Sequence, residues 1–323
     1  MGAAGELWRG HRRLRGRRRA TSSPAWPDEP GWLVPILVDY FGRDGSTLMM
    51  RLLASSPGIA VERPYPYERR YLTYLWAWAH LLDREEWPRR WSVQKLASLA
   101  REDRTALVGP PPWLERELIS AAPGGVEMSR RCFELIWGEF SKRATRATRA
   151  AHGKPDAEVR YYAEKHLESW RADLSVLPAH RLIVVLRDPR DTFASMLAFD
   201  RARGGKGGFR AAEGPERVQR MLEQQRGRLR WIAALDTDEG VVVRYEEMVL
   251  ELEAVATRLG EWLGVELDPR AVLDDRRMRR QHVTASSPAA SIGRWRAELE
   301  PDVVAVFEAS LGPELQALGF DRR

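Results

Sequence analysis

Four short apolar runs, at residues 33–39, 159–163, 182–186 and 241–245, interrupt a chain whose remaining apolar positions recur mostly at helical spacing. Each run is continuous or nearly so and lacks the alternation of a half-solvated strand. That is the pattern of strands buried on both faces, as in a parallel sheet. Helical stretches such as 126–145 and 216–235 separate the runs. The pattern predicts an α/β fold of three layers, with a central parallel sheet flanked by helices. Between 64 and 150 no strand is visible, and Trp76, Trp78, Trp87, Trp91, Trp113 and Trp137 fall in helical or loop contexts, so a helical insertion or cap is expected there. Most of those rings are read as core, with the lining of a ligand pocket as the alternative. Gly204, Gly205, Gly207 and Gly208 mark a loop, read either as a lid or as a plain connector.

The formal net charge of +6 sits in one place. The first twenty residues hold seven arginines against Glu6, so the rest of the chain is electrically balanced. Residues 1–30 therefore read as a basic, disordered tail and 31–323 as one α/β domain. No specific nucleic-acid surface is expected. The tail has no apolar core for a secretory signal, and no run is apolar enough for a transmembrane segment. Cys132 is the only cysteine. It excludes an intramolecular disulfide and a Cys-based zinc site, fits a reducing, cytoplasmic location, and is expected to be a buried structural thiol.

Two turns carry the candidate chemistry. The first apolar run leads into Gly42, Arg43, Asp44, Gly45, Ser46 and Thr47, and then a helical pattern from Leu48. A strand, a turn and a helix start present free amides and the positive end of the helix dipole to an anion. Gly45 allows close backbone approach, Ser46 and Thr47 add hydroxyls, and Arg43 adds a cation. A nucleoside triphosphatase loop needs Lys before its Ser or Thr, and here Gly45 or Ser46 fills that slot, which argues against an ordinary ATPase or kinase. In the second turn Arg187, Asp188, Pro189 and Arg190 follow the strand at 181–186, and Ser195 lies about two turns into the next helix. An Arg at the carboxyl end of a strand can fork onto a phosphate monoester. The plainer reading is an Arg187 paired with Asp188 or Asp191 and a solvent-facing Ser195. Taken together, the two turns suggest a clamp for one doubly phosphorylated nucleotide.

This combination resembles the sulfotransferases that use 3′-phosphoadenosine 5′-phosphosulfate (PAPS, giving PAP), in particular the tyrosylprotein and carbohydrate branch. Residues 242–249 (VVRYEEMV) and 291–296 (SIGRWR) extend the resemblance, which covers about 33–320 and is weakest at 64–150. It implies that Arg43, Gly45, Ser46 and Thr47 form the 5′-phosphosulfate loop and that Arg187 and Ser195 hold the 3′-phosphate. It also implies that Tyr245 contacts the cofactor near the end of its strand and that a loop at 286–294, with Ser286 and Arg294, closes over it. Glu62 stands where that branch has its base, and Lys165 where a Lys after the next strand assists transfer, with Arg43 stabilising charge. A surface Glu62 paired with Arg63, Arg69 or Arg70 is the alternative, and His166 and His282 are competing bases. Asp44 departs from the family's small Ser and brings a carboxylate to an anionic site, and Phe41 and Gly42 depart from its usual lead-in.

The implied activity is in-line sulfuryl transfer to a hydroxyl or amine of a small-molecule, glycan or peptide acceptor, needing no metal. A P-loop nucleotide kinase or NTPase, and a non-catalytic nucleotide-binding protein, are the other classes. Acceptor identity rests with the cap, where the resemblance is least.

Overall fold

The structure, a computed structural model, describes residues 31–63, 66–79, 126–167, 180–204, 215–235, 240–273 and 284–320. Strands β1 (Val34–Tyr40), β2 (Ile59–Val61), β3 (Tyr161–Leu167), β4 (Arg181–Leu186) and β5 (Val241–Arg244) form one sheet in the order β2-β3-β1-β4-β5. Every pairing is parallel, with Val38 opposite Lys165 on one side and Ile183 on the other. The three-layer α/β architecture expected from the apolar runs is the observed one.

The helices, in chain order, are α1 (Ser46–Ala54), α2 (Tyr71–Ala79), α3 (Val126–His152), α4 (Pro189–Ala202), α5 (Pro215–Ala233), α6 (Tyr245–Leu250), α7 (Leu252–Leu263), α8 (Arg270–Leu273), α9 (Trp295–Glu298) and α10 (Pro301–Ala317). Strand side chains alternate faces. Ile36, Val38, Ile183 and Val185 pack with Met49, Leu53 and Leu259 of α1 and α7. Leu37, Leu182, Val184 and Leu186 pack with residues of α2, α3, α4, α5 and α10, among them Trp76, Trp137, Phe193 and Phe307. Two cores therefore sandwich the sheet, and each strand is apolar on both sides because both sides are covered.

Three details differ from the sequence reading. β2 was not anticipated: three residues behind the Pro57 and Gly58 turn are too few to show a period, and only pairing with β3 makes them a strand. β3 runs on through Glu164, Lys165 and His166, where polar character suggested an end. All three are buried, and for Glu164 and Lys165 partners in the fold replace the water those groups would otherwise need. Cys132 is half-buried against the core rather than enclosed. Trp76 and Trp137 are core residues, and the Trp137 indole donates to the Leu33 carbonyl at 3.1 Å. The side chain of Trp78, together with Trp87, Trp91, Trp113, His282, the tail and the glycines at 205–208, lies outside the described residues. Among the described residues no helix is long and apolar enough to cross a membrane.

Candidate active site

The chain leaves the adjacent strands β1 and β4 toward opposite layers, α1 on one face and α4 on the other. The crevice at their carboxyl ends is thus the topological switch point, the usual ligand position in open α/β sheets. Beneath it the buried Arg228 of α5 donates to the Asp39 carboxylate at 3.0 and 3.1 Å and to the Val185 carbonyl at 2.7 Å, tying the two strand ends together.

The turn after β1 bends through three residues at positive φ: Gly42 (108°), Arg43 (58°) and Gly45 (98°). Gly45 is required twice over. Its φ belongs to glycine, and a Cβ there would lie 2.4 Å from the Tyr245 ring. Asp44 is folded inward, where its carboxylate accepts from the Phe41 amide at 2.6 Å and the Ser46 amide at 3.2 Å. The carboxylate that seemed misplaced at an anion site is therefore the loop's internal tie, and it occupies one of the amides expected to face an anion.

At the second turn Asp188 caps α4 by accepting from the Arg190 amide at 2.8 Å, and Pro189 opens the helix where no amide hydrogen is needed. Arg187 pairs with neither Asp188 nor Asp191. Its Nη1 donates to the Arg43 carbonyl and its Nη2 to the Ser291 carbonyl, each at 2.7 Å, and its guanidinium stacks on the Tyr245 ring at 4.3 Å. Its buried Nε has no partner among the described residues. Arg43 returns the connection: its Nε donates to Ser195 Oγ at 3.2 Å and its guanidinium covers Phe199 at 4.5 Å. The two turns thus meet through Arg43, Arg187 and Ser195.

Tyr245 is the first residue of α6, just past β5, and its hydroxyl is 2.7 Å from Ser291 Oγ. Residues 284–294 are docked by this contact, by Arg187, and by the Asp191 carboxylate, which accepts from Gly293 N at 2.7 Å and Trp295 N at 3.0 Å. Ser286 lies on the exposed side of this segment, and Arg294 directs its guanidinium to Glu298 and Thr284. Neither is brought to Arg187 or Ser195.

Lys165 sits within β3, not after it, and is 2% exposed. Its ammonium donates to Thr47 Oγ1 at 2.9 Å and Glu68 Oε1 at 2.7 Å. Burial pulls Lys165 below the usual lysine range, and Glu68 works the other way. Burial of Glu68 opposes its charge, but Lys165 and Arg70 outweigh that and hold its carboxyl below the usual range. Arg70 donates to Glu68 Oε2 at 3.1 Å and to the Tyr40 hydroxyl. Burial pushes that hydroxyl well up, so Tyr40 stays neutral. Tyr67, just before Glu68, has φ 64°, a left-handed conformation costly for a bulky residue.

Glu62 is instead engaged by the exposed Arg69 at 3.1 Å, the surface pairing weighed as its alternative. His166 is buried one residue beyond Lys165, on the opposite face of β3. Glu68, Arg70 and Tyr40 were not identified from sequence as a chemical group. Glu68 lies in an aperiodic stretch between Pro66 and α2, and only the crossing of this segment over the sheet brings it to Lys165.

A strand-turn-helix loop facing a second Arg-bearing turn across a switch point of a parallel sheet defines an α/β protein of the P-loop-like class. A profile of the sulfotransferase family matches residues 35–269, and the chain belongs to that family. No curated protein matches the sequence significantly. Among solved structures, the sulfotransferase domain of the Synechococcus PCC 7002 olefin synthase is 17% identical, with a TM-score of 0.50 over 92% of this chain and 98% of that one. The sulfotransferase STF9 from Mycobacterium avium is 18% identical, with a TM-score of 0.43 over 91% and 79%. Mouse sulfotransferase SULT7A1, in complex with PAP, is 13% identical, with a TM-score of 0.43 over 90% and 86%.

Proposed function

We propose that this chain moves a sulfuryl group from PAPS to a hydroxyl or amine of a small-molecule, glycan or peptide acceptor, with Glu68 rather than Glu62 as the base. The observation that carries the reading is the ammonium of Lys165, held between Thr47 of the first loop and the Glu68 carboxylate. The crevice suits a bisphosphorylated nucleotide: the buried Nε of Arg187 has no partner among the described residues, and Gly45 lets the first loop pack directly against the Tyr245 ring, where a Cβ would intrude. When bound, PAPS supplies a sulfuryl group already attached to a phosphate leaving group. The loop amides of Gly45 and Thr47, with the Ser46 and Thr47 hydroxyls, hold its 5′ end, while Arg187, Ser195 and the guanidinium of Arg43 hold its 3′ end. Tyr245 and residues 286–294 would bound the nucleotide, the segment being joined to Arg187 and Tyr245 through Ser291. Lys165, itself buried, would stabilise the negative charge that develops on the departing phosphate. Glu68, ionised and half exposed, accepts the acceptor's proton. The stretch 64–150, where the resemblance is least, is assigned the choice of acceptor.

Calorimetric titration with PAP and with ATP plus magnesium, and turnover of labelled PAPS against an acceptor library, test this reading. PAP is expected to bind more tightly than ATP. Glu68→Gln is expected to lower turnover by about 10²- to 10³-fold with PAP affinity held within about threefold, and Glu62→Gln to stay within about threefold on both counts. Tighter ATP binding would remove the donor from the proposal, and loss of turnover in Glu62→Gln alone would return the base to Glu62.

A further inference from the structure

Helix α2 begins without a cap of its own. Its first amides have no intrahelical acceptor, and the residue before it, Arg70, carries a side chain that can only donate. β3 supplies the acceptors. Tyr71 N donates to the Tyr162 hydroxyl at 3.4 Å, Leu72 N to Glu164 Oε2 at 2.9 Å, and Thr73 N to Glu164 Oε1 at 3.1 Å. The Thr73 hydroxyl adds a bond to Oε1 at 2.6 Å. The Arg70 carbonyl then accepts from Tyr74 N at 2.9 Å, beginning the helix. Glu164 is 1% exposed, and among the described residues these donors, together with the hydroxyl of the neighbouring Tyr162, satisfy its carboxylate.

The next residue along the strand is Lys165, which points to the other face of the sheet and binds Glu68. Two consecutive residues of β3 thus grip one segment from both sides. Lys165 holds it at Glu68, before the crossing, and Glu164 holds it at Leu72 and Thr73, after the crossing. Between the two grips lie only Arg69, Arg70 and Tyr71, and Arg70 is itself bonded to Glu68 and Tyr40. So short a link transmits a shift of the helix start to the carboxylate, and displacements of about 1 Å at a reacting group are enough to matter to rate.

We infer that Glu164 is a positioning residue: by gathering the uncapped first turn of α2 it fixes where residues 66–70 cross the end of the sheet, and so where Glu68 meets Lys165. The inference takes from the proposed function only that this pair faces the acceptor; the geometry itself can be read without turnover. The charged groups around the Lys165 ammonium are Glu68, Asp44 and Arg70, and Arg70 is the cation that acts on Glu164.

The full chain contains five lysines, so labelling their ε-carbons with ¹³C gives a spectrum in which Lys165→Arg assigns the resonance of interest. Its titration midpoint reports the proximity of Glu68, because an adjacent carboxylate raises a lysine midpoint. In Glu164→Gln the midpoint is expected to fall by about one unit as Glu68 withdraws. Thr73→Val is expected to fall in the same direction by less, and Thr73→Ser to match the wild type. In a Glu68→Gln background, Glu164→Gln is expected to add nothing. An unchanged midpoint in folded Glu164→Gln overturns the inference. So does an equal fall in the Glu68→Gln background, since Glu164 would then act directly through its charge. Should Glu164→Gln fail to fold, the Thr73 pair decides: identical midpoints in Val and Ser variants sink the idea. Absence of PAP binding, with the Lys165 response intact, would fault the proposed function and leave this inference standing.

Discussion

After β1 the chain turns by backbone conformation, with Gly42, Arg43 and Gly45 at positive φ and Asp44 folded in to hold two of the loop's own amides. After β4 it turns by side-chain bonding, with Asp188 capping the helix and Arg187 reaching out to Arg43, Ser291 and Tyr245. The first turn is thus shaped mainly by its own dihedrals and its internal tie. The second is joined to three separate segments by one guanidinium, so those connections depend on a single residue. Turns on similar strand-turn-helix units need not fail in similar ways.

The sharpest test of that contrast removes the joining residue. Arg187→Ala should lower PAP affinity by about 100-fold or more in calorimetry, since bonds from a charged donor are worth about 1.5–3 kcal/mol each. Arg187→Lys should recover little of it, because an ammonium cannot fork to two carbonyls and lie flat on Tyr245. Wild-type affinity in the Lys variant would mean that charge alone, and not the fork, organises the second turn.

Gly45→Ala should act next most strongly and through stability, with a loss of about 2–4 kcal/mol, read as a drop of several degrees in Tm. The strain has two parts, φ of 98° and the Tyr245 ring 2.4 Å from the new methyl. Adding Tyr245→Ala should relieve the second part only. Full recovery in the double variant would show that the left-handed backbone is not what demands glycine.

Asp44→Ser is expected to have the smallest effect and a divided one. Losing the acceptor for the Phe41 and Ser46 amides should cost about 1–2 kcal/mol in denaturant unfolding. Removing a carboxylate and freeing the Ser46 amide should raise PAP affinity about threefold. A fall in affinity instead would make Asp44 an organiser of the anion site rather than a competitor for it.

Much of this was legible along the chain. Arg43, Gly45, Ser46 and Thr47 stand together because a helix start with a close backbone approach needs them contiguous, and Arg187 and Ser195 are set by the offset from strand end to second helical turn. Glu62 and Glu68 show where that legibility ends. Both are glutamates in the non-periodic stretch after a short strand, and no local feature ranks one above the other. One meets the exposed Arg69 and the other meets Lys165. Lys165 in turn was read as lying past a strand, because the apolar pattern stops where buried polar partners begin.

By itself the sequence determined the layered parallel sheet and the two strand-turn-helix segments, since these follow from short-range periodicity, glycine placement and helix starts. Tertiary structure alone decided which carboxylate faces the buried ammonium, which amides of the first loop Asp44 occupies, and that Arg187 joins three segments. Those outcomes depend on groups far apart in sequence meeting at the end of the sheet. There, burial makes each polar group take whichever partner the packing brings within about 3 Å.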